Sequence, residues 1–192
     1  MVIKDLEDYA KEYNIPIMLP DGIEFLVNYI KDNNIKNILE IGSAIGYSAI
    51  RMALVDSNII IDTIERDQTR YNEAIKNIKA FDLDKQINIY NIDAFDYETN
   101  NQYDLIFIDA AKSQYIKFFE KFSNNLKPEG VIITDNLSFH GLVDNPELTH
   151  NRNTKQLVKK IKKYISYLEN NTNYNTEFIK TGDGIAISKK KN

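Results

Sequence analysis

The sequence predicts an α/β fold: one seven-stranded, mostly parallel sheet with helices on both faces and an antiparallel hairpin at its end. Two observations support this prediction. Short apolar segments with the spacing of strands alternate with amphipathic segments that have the spacing of helices. The last two strand segments are separated only by TGDG, a turn sequence that predicts a hairpin. Alternating strands and helices require a parallel sheet that is covered on both faces.

The predicted elements follow one another in a regular order after two N-terminal amphipathic helices at residues 2–13 and 21–33. Each strand is a short apolar run, and each helix places its apolar residues on one face. Strands are predicted at 36–41, 59–65, 86–91, 103–109, 130–135, 174–180 and 184–189. The remaining helices are predicted at 46–56, 68–81, 112–125 and 152–170.

Composition indicates a single intracellular domain. The 192 residues are 43% hydrophobic, enough for one sizeable core, and no linker or repeat divides them, so residues 1–192 are predicted to form one domain. Because cysteine is absent, disulfides, thiolate metal sites and a cysteine nucleophile are excluded. The longest apolar run is far too short to span a membrane. A cytoplasmic protein without a membrane partner is expected.

The charge distribution allows two interpretations of one surface. The net charge of −4 argues against a protein that coats nucleic acid non-specifically. However, residues 150–168 contain six basic residues and no acidic residue. Such a run can bind phosphates locally, or it can be the solvated face of the predicted helix at 152–170. Charge alone favours the solvated face.

Two hydrophobic strands each end in a carboxylate. Asp109 follows the first strand, in FIDAAK, and Asp135 and Asn136 follow the second, in IITDN. Because ligands bind beyond the carboxyl ends of parallel strands, the three side chains are expected around one point. Oxygen donors of this kind suit Mg²⁺ or a similar divalent ion, which would also relieve the repulsion between two carboxylates. The alternative is that Asp109 caps the next helix and the other two are turn residues.

Lys112 lies three residues after Asp109, where the next helix is predicted to begin, and is expected to face the same cleft. A nearby divalent cation would disfavour its protonated form, which suits a general base. A solitary lysine would otherwise be a surface charge. His140, five residues after Asp135, is a candidate for the mouth of a substrate site, although an ordinary loop histidine is the simpler interpretation.

The segment NILEIGSAIGYS is a strand, a glycine turn and the start of a helix, and it predicts a ligand site. Its G-x-x-x-G spacing has one glycine fewer than the dinucleotide fingerprint, which leaves room for a ligand without phosphates. Glu65 ends the next strand 23 residues after Gly42, where an acid can bind both hydroxyls of a ribose. Asp93 and Ala94 follow the third strand, where an adenine ring could lie. Acids at successive strand ends favour a nucleoside site over a set of helix caps.

Several motifs in order resemble the metal-dependent O-methyltransferases of the catechol and caffeoyl-CoA type. They are LEIGSAIGYSAIRMA, the Glu65 strand end, FIDAAKSQY and IITDNLSFHGLV, and the resemblance runs from about Pro16 to Lys191. Seven strands with a reversed last pair are also the architecture of the Rossmann-like class I methyltransferases.

The resemblance implies S-adenosylmethionine as methyl donor, with residues 1–34 as a helical segment that covers its site. It implies Mg²⁺ on Asp109, Asp135 and Asn136, with Lys112 as the catalytic base. The cofactor-binding residues that it implies are Met18, Glu40, Gly42, Ser48, Glu65, Asp93, Ala94 and Asp109.

Within that family, FIDAAKSQY, DNLSFHGLV and the tail GDGIAISKKK look most like the bacterial tRNA 5-hydroxyuridine methyltransferases. Ser113, Ser138 and Ile92 depart from the residues usual in that group, and NRNTKQLVKK has fewer arginines than its basic run. The resemblance implies the wobble uridine of a tRNA anticodon loop as substrate, and a homodimer.

Two other hypotheses remain. A small catechol-like phenol is the alternative substrate, because catechol and 5-hydroxyuracil both present two adjacent oxygens to a metal. A non-catalytic nucleotide-binding module with the same fold is the third hypothesis. The combination of Asp109, Lys112, Asp135 and Asn136 argues against it, since a binding module needs no base.

Overall fold

The computed structural model describes residues 1–191, and its seven strands form one sheet. The strands are β1 (Asn37–Ile41), β2 (Ile60–Ile64), β3 (Ile87–Tyr90), β4 (Tyr103–Ile108), β5 (Leu126–Thr134), β6 (Tyr174–Ile179) and β7 (Ile185–Lys190). Their order is β3-β2-β1-β4-β5-β7-β6. Strands β1 to β5 pair in parallel, whereas β7 is antiparallel to both β5 and β6. The predicted fold class is confirmed.

Six α-helices accompany the sheet in the described residues. They are α1 (Ile3–Glu12), α2 (Pro20–Asp32), α3 (Tyr47–Ala53), α4 (Gln68–Ala80), α5 (Tyr115–Phe122) and α6 (Arg152–Glu169). The helix predicted at 112–125 is α-helical only in its middle, because the 3₁₀ turns Lys112–Gln114 and Ser123–Asn125 flank α5. The tighter winding of a 3₁₀ turn keeps Lys112 in the connection after β4.

Strand β5 begins four residues earlier than the predicted strand at 130–135. Leu126 pairs with Tyr103, but the next pair joins Val131 to Leu105, so the register shifts between them. The polar segment KPEG is accommodated in this irregularity, which the apolar pattern could not reveal.

The core has two layers, one on each face of the sheet. Ile38 of β1 packs into the layer beneath α1 to α4, and the adjacent Leu39 packs into the layer beneath α5 and α6. This alternation is what a strand buried on both faces requires. Phe119 of α5 and Tyr164 of α6 belong to the second layer and are almost completely buried.

The sheet order places a switch point between β1 and β4. The chain adds β2 and β3 on one side of β1 and then crosses to add β4 and β5 on the other. Ligands of open α/β sheets bind at such a point, beyond the carboxyl ends of the strands. Within residues 1–191, no helix has the length and apolar character that a membrane crossing needs.

Candidate active site

A cavity of about 680 Å³ opens at the carboxyl edge of the sheet, at the switch point. Its volume is typical of small-molecule sites, which measure roughly 300–1,000 Å³. The predicted site residues that line it are Gly42, Glu65, Asp93, Ala94, Asp109, Lys112 and Asn136, together with His140. A second cavity, of about 410 Å³, lies near Gly130, Glu177 and Lys189 and contains none of the predicted residues.

The turn after β1 brings two strand ends into close contact. Gly42 has φ +97°, and a Cβ atom there would lie 2.3 Å from the backbone oxygen of Asp109. The backbone N–H groups of Gly42 and Ser43 both donate to the oxygen of Ile64, at 3.0 and 3.2 Å. A side chain at position 42 would therefore push the ends of β1 and β4 apart, which explains the glycine.

Glu40 and Ser48 lie behind this turn and do not line the cavity. Glu40 is fully buried, and its carboxylate accepts hydrogen bonds from Ser48 Oγ and Thr63 Oγ1, both at 2.5 Å. Burial raises the pKa of Glu40 to about 7, although the two hydroxyl donors oppose the shift. The pair supports the turn from beneath, and its role in binding a cofactor stays a prediction.

Glu65 occupies the position expected of a ribose-binding acid. It is 7% exposed and lines the cavity at the end of β2. Its Oε2 accepts from the N–H of Ala44 at 2.9 Å, and its Oε1 accepts from the N–H of Asp67 at 2.8 Å. Each oxygen can accept a second hydrogen bond, so the carboxylate is oriented by the protein and still available to a ligand.

Beyond β3, the cavity wall combines one acid with apolar surface. Asp93 Oδ1 accepts from the N–H of Phe95 at 2.9 Å, and Ala94 lines the wall beside it. The rings of Phe95 and Phe118 stack with centroids 4.8 Å apart and also line the cavity. Flat apolar walls with an acid at the rim suit a planar base.

The connection between α1 and α2 closes another side of the cavity. Pro16, Ile17 and Leu19 line it, whereas Met18 is 3% exposed and lies beside Gly22 in the first core layer. Side chains of an extended segment alternate in direction, so Met18 points inward where its neighbours point to the cavity.

Four predicted residues lie at the ends of β4 and β5, and hydrogen bonds connect three of them. Lys112 Nζ donates a hydrogen bond to Asn136 Oδ1, and Asn136 Nδ2 donates to Asp135 Oδ2 at 2.9 Å. Asp109 lines the cavity beside them and is half-buried. Burial raises its pKa above the ordinary value, and the ammonium of Lys112 opposes this.

Asp135 has an unsatisfied oxygen. The residue is 1% exposed, and its buried Oδ1 has no hydrogen-bond partner within residues 1–191. Burial, reinforced by the negative charge of Asp109, raises the pKa of Asp135 to about 7. A buried carboxylate oxygen without a partner is costly, and a cation would remove the cost. In the described chain, no group of three His, Cys, Asp or Glu side chains is arranged to hold a metal ion. The predicted metal ligands are not such a group, because Asn136 contributes an amide oxygen beside the carboxylates of Asp109 and Asp135.

Sequence reasoning missed Asp183 and Phe139. Asp183, in the turn between β6 and β7, is 4% exposed and lines the cavity close to Asp109 and Asp135. The TGDG sequence suggested only a hairpin turn, since nothing local distinguishes an acid that faces a distant loop. Phe139 lines the cavity with its ring centroid 5.7 Å from Lys112 Nζ.

Comparison with known proteins identifies the family. A family model described as O-methyltransferase matches residues 1–191. The chain belongs to the O-methyltransferase family. The catechol O-methyltransferase of Niastella koreensis is 32% identical over 165 residues, which cover 80% of this chain and 72% of that protein. Tapetum-specific methyltransferase 1 of Arabidopsis thaliana is 28% identical over 186 residues, which cover 93% of this chain and 78% of that protein.

Solved structures agree with this assignment. A "putative caffeoyl-CoA O-methyltransferase" from Staphylococcus aureus superposes with a TM-score of 0.95 and 38% identity, over 100% of this chain and 93% of that chain. The O-methyltransferase from Bacillus cereus in complex with SAH superposes with a TM-score of 0.83 and 24% identity, over 98% of this chain and 90% of that chain. At 24% identity, the similarity to the Bacillus cereus protein shows a shared fold. The predicted family of this O-methyltransferase is thus confirmed.

Proposed function

We propose that this O-methyltransferase uses S-adenosylmethionine and a divalent cation, Mg²⁺ first, to methylate 5-hydroxyuridine at the wobble position of a tRNA anticodon. The observation that carries the proposal is the unpartnered, buried Oδ1 of Asp135 in a group that also contains Asp109, Asn136 and Lys112. A site that only bound a nucleoside would need no second carboxylate of this kind.

The cofactor would occupy the side of the cavity formed by β1, β2 and β3. Glu65 would accept hydrogen bonds from ribose hydroxyls, and the wall at Asp93 and Ala94 would hold the adenine. S-adenosylmethionine supplies the methyl group, on a sulfonium that needs no phosphate-binding turn. The fold of Bacillus cereus O-methyltransferase, solved with SAH, supports this choice of ligand.

The cation would be held by Asp109, Asp135 and Asn136. Their oxygens are the hard donors that Mg²⁺ prefers, and the cation would satisfy Asp135 Oδ1. When bound, it supplies positive charge that favours ionisation of the acceptor hydroxyl. Asn136 is already oriented by the hydrogen bond that it accepts from Lys112 and by the one that it donates to Asp135.

Lys112 would take the proton of the acceptor hydroxyl. Its Nζ lies at the cavity wall within hydrogen-bond reach of Asn136 Oδ1, so its position is fixed. The ring of Phe139, 5.7 Å from Nζ, adds an apolar wall beside it. An unprotonated amine placed beside the ionising hydroxyl acts as a general base. With the acceptor oxygen held in line with the methyl–sulfur bond of the cofactor, the methyl group would pass to that oxygen and S-adenosylhomocysteine would be the leaving group.

The surface beside the cavity supports the choice of tRNA. Helix α6 packs against the Lys112–Gln114 turn, and Lys112 and Gln114 line the cavity, so the helix lies beside the site. Lys155, Lys159 and Lys163 are exposed on it, opposite its buried face. Phosphates of an anticodon loop could contact these lysines while one unpaired base enters the cavity.

A small catechol-like phenol is the second candidate. It is favoured by the similarity to the Niastella koreensis protein, whose name is catechol O-methyltransferase. Two adjacent oxygens are present in catechol, and equally in 5-hydroxyuracil through its 5-hydroxyl and 4-carbonyl. The same catalytic group therefore serves both substrates, and the surface around the cavity selects between them.

Nucleoside analysis tests the proposal. Transfer RNA from cells with and without this protein is digested and compared, and 5-methoxyuridine should disappear while 5-hydroxyuridine accumulates in its absence. The purified enzyme should then methylate that unmodified tRNA in a reaction that EDTA stops. Unchanged nucleosides together with turnover of catechol would replace the first candidate with the second.

A further inference from the structure

Residues 136–140, which follow β5, contain unfavourable backbone conformations. This segment lies on the side of the cavity away from the proposed cofactor site, where the methyl acceptor would bind. Asn136, Phe139 and His140 have φ values of 65°, 49° and 55°, in the left-handed region that residues with side chains rarely adopt. All three line the cavity. Such conformations persist where surrounding contacts determine them, and they concentrate at functional sites. The contacts that hold this segment therefore matter to the site.

The β6–β7 turn provides three of these contacts, in addition to the hydrogen bonds within the segment itself. The N–H of Leu137 donates to the oxygen of Gly184 at 2.9 Å, and the N–H of Ser138 donates to the backbone oxygen of Asp183 at 2.7 Å. The N–H of His140 donates to Asp183 Oδ1 at 2.5 Å. Gly184 makes the approach possible, because a Cβ atom there would lie 2.8 Å from the nitrogen of Ser138.

The carboxylate of Asp183 is the only side-chain acceptor among the three contacts from the turn. It is 4% exposed, and it binds the segment at His140, which is followed by Gly141, another residue with a left-handed backbone. Truncating the Asp183 side chain would leave the hydrogen bonds donated by Leu137 and Ser138, because their acceptors are backbone oxygens. It would remove the hydrogen bond donated by the N–H of His140. Phe139 lies between these two anchors and faces Lys112.

We propose that Asp183 is a positioning residue for the acceptor. Its carboxylate fixes His140 N–H, and this holds Phe139 and His140 as the wall against which the acceptor ring is oriented for Lys112. The kinetic part of the inference rests on the proposed function. The structural part, that the carboxylate orders residues 139–140, does not.

A single-tryptophan probe tests the structural part. The chain has no tryptophan, so Phe139→Trp places the only indole of the protein in the segment. Adding Asp183→Ala should lower the fluorescence anisotropy at position 139 and shift the emission to the red, because the segment becomes mobile. Asp183→Asn retains an oxygen acceptor and should preserve the wild-type anisotropy. Equal anisotropy in the Ala and Asn variants would overturn the proposal, whatever the enzyme methylates.

Kinetics tests the positioning role. Asp183→Ala should raise KM for the acceptor by about tenfold or more while the affinity for S-adenosylhomocysteine, measured by calorimetry, stays within about twofold. Asp183→Asn should restore KM. If the Asn variant is as defective as the Ala variant, the carboxylate acts through its charge and the positioning role is refuted.

A matched control separates positioning from general stability. Asp62 is another buried carboxylate, 4% exposed and away from the cavity lining. Asp62→Asn should lower the melting temperature without changing KM for the acceptor. If Asp183→Ala behaves in the same way, with a lower melting temperature and an unchanged KM, Asp183 is only structural and the inference fails.

Discussion

Two buried carboxylates of the same sheet, Asp62 in β2 and Asp135 after β5, have opposite environments. Asp62 is 4% exposed and Asp135 is 1% exposed, so burial does not distinguish them. The oxygens of Asp62 accept four hydrogen bonds from neutral donors, whereas Asp135 Oδ1 accepts none within the described residues. The donors to Asp62 are Asn88 Nδ2 (3.0 Å), Tyr90 OH (3.3 Å), Asn101 Nδ2 (3.1 Å) and Tyr103 OH (2.6 Å).

The difference separates a structural carboxylate from a functional one. Buried polar groups in native proteins are almost always paired, and Asp62 follows this rule by connecting β2, β3 and β4. Asp135 violates it at the carboxyl edge, where ligands bind. An unpaired buried charge destabilises the fold, and it is retained where a ligand or a reaction needs it.

The largest effect is expected from removing the unsatisfied carboxylate. Asp135→Ala should lower kcat by about 10³-fold, since losing a ligand of the cation forfeits several kcal/mol of transition-state stabilisation. Affinity for S-adenosylhomocysteine should stay nearly unchanged in calorimetry. EDTA should have the same effect on the wild-type enzyme.

The control variant is Asp62→Asn, which changes the buried carboxylate whose hydrogen bonds are all made within the protein. It should lower the melting temperature by several degrees and leave kcat near the wild-type value. Full activity in EDTA, or equal losses of activity in the two variants, would remove the distinction between the two sites.

A second prediction concerns stability: removing the charge of Asp135, which should lower activity, should stabilise the fold. The pKa of Asp135 in the folded protein is about 7, above that of the unfolded chain. The folded state therefore binds a proton between roughly pH 4 and 7 that the unfolded state has released, so this contribution to stability decreases as pH rises through 7. In EDTA at pH 8, Asp135→Asn should stabilise the protein by about 2 kcal/mol, because no buried charge remains.

Urea unfolding in EDTA at pH 8, at pH 5 and at about pH 4 measures this effect. The gain should shrink as the pH falls below 7 and approach zero only at about pH 4, where the carboxyl of the unfolded chain also becomes protonated. At pH 8, saturating Mg²⁺ should abolish the gain, because it stabilises only the wild type. If Asp135→Asn instead lowers the free energy of unfolding at pH 8, the ionised carboxylate of Asp135 stabilises the fold and the prediction is wrong.

The same contrast explains what the sequence could predict. Strand periodicity located the carboxyl ends, so the positions of Glu65, Asp109 and Asp135 at one edge followed from elementary geometry. The partners of a carboxylate, however, come from distant strands. Asp62 is bonded by residues 26 to 41 positions away, and no local pattern distinguishes it from Asp135.

The omission of Asp183 has the same cause. Asp183 reaches His140 across 43 positions, which a local turn signal cannot show. Met18 was assigned to the cofactor site by resemblance, and that assignment stays a prediction, because the direction of each side chain in its segment depends on how the segment packs against α2. Sequence pattern thus predicts which edge holds the site, and tertiary packing decides which side chains face it.

Glu65 provides an intermediate case, with one backbone donor to each oxygen. Glu65→Ala should lose two charge-assisted hydrogen bonds to ribose, each worth roughly 1.5–3 kcal/mol, and weaken S-adenosylhomocysteine binding at least about tenfold. Glu65→Gln, which keeps one acceptor oxygen, should lose less. Calorimetry showing unchanged affinity in Glu65→Ala would mean that ribose does not bind at the end of β2.

The smallest effect concerns unpaired cations on the surface. Within residues 1–191, Lys155, Lys159 and Lys163 form no ion pair, and they lie on α6, which packs against the Lys112–Gln114 turn. Reversing all three to Glu should raise KM for tRNA several-fold and flatten its dependence on salt, since each lost phosphate contact lowers the salt slope by about one. Turnover of catechol should hardly change, because the catalytic group is untouched.

The matched control reverses Lys31, Lys79 and Lys85, which are also exposed. Lys31 and Lys79 end helices α2 and α4, and Lys85 precedes β3, so all three lie at the amino edge of the sheet, opposite the cavity. Both triple variants change the net charge by the same amount, so a general electrostatic effect would raise KM equally in both. A selective effect of the α6 variant requires contact between tRNA and the cavity side. Equal, unchanged KM values in both variants would leave α6 as a solvated face, and the small phenol would then be the better substrate.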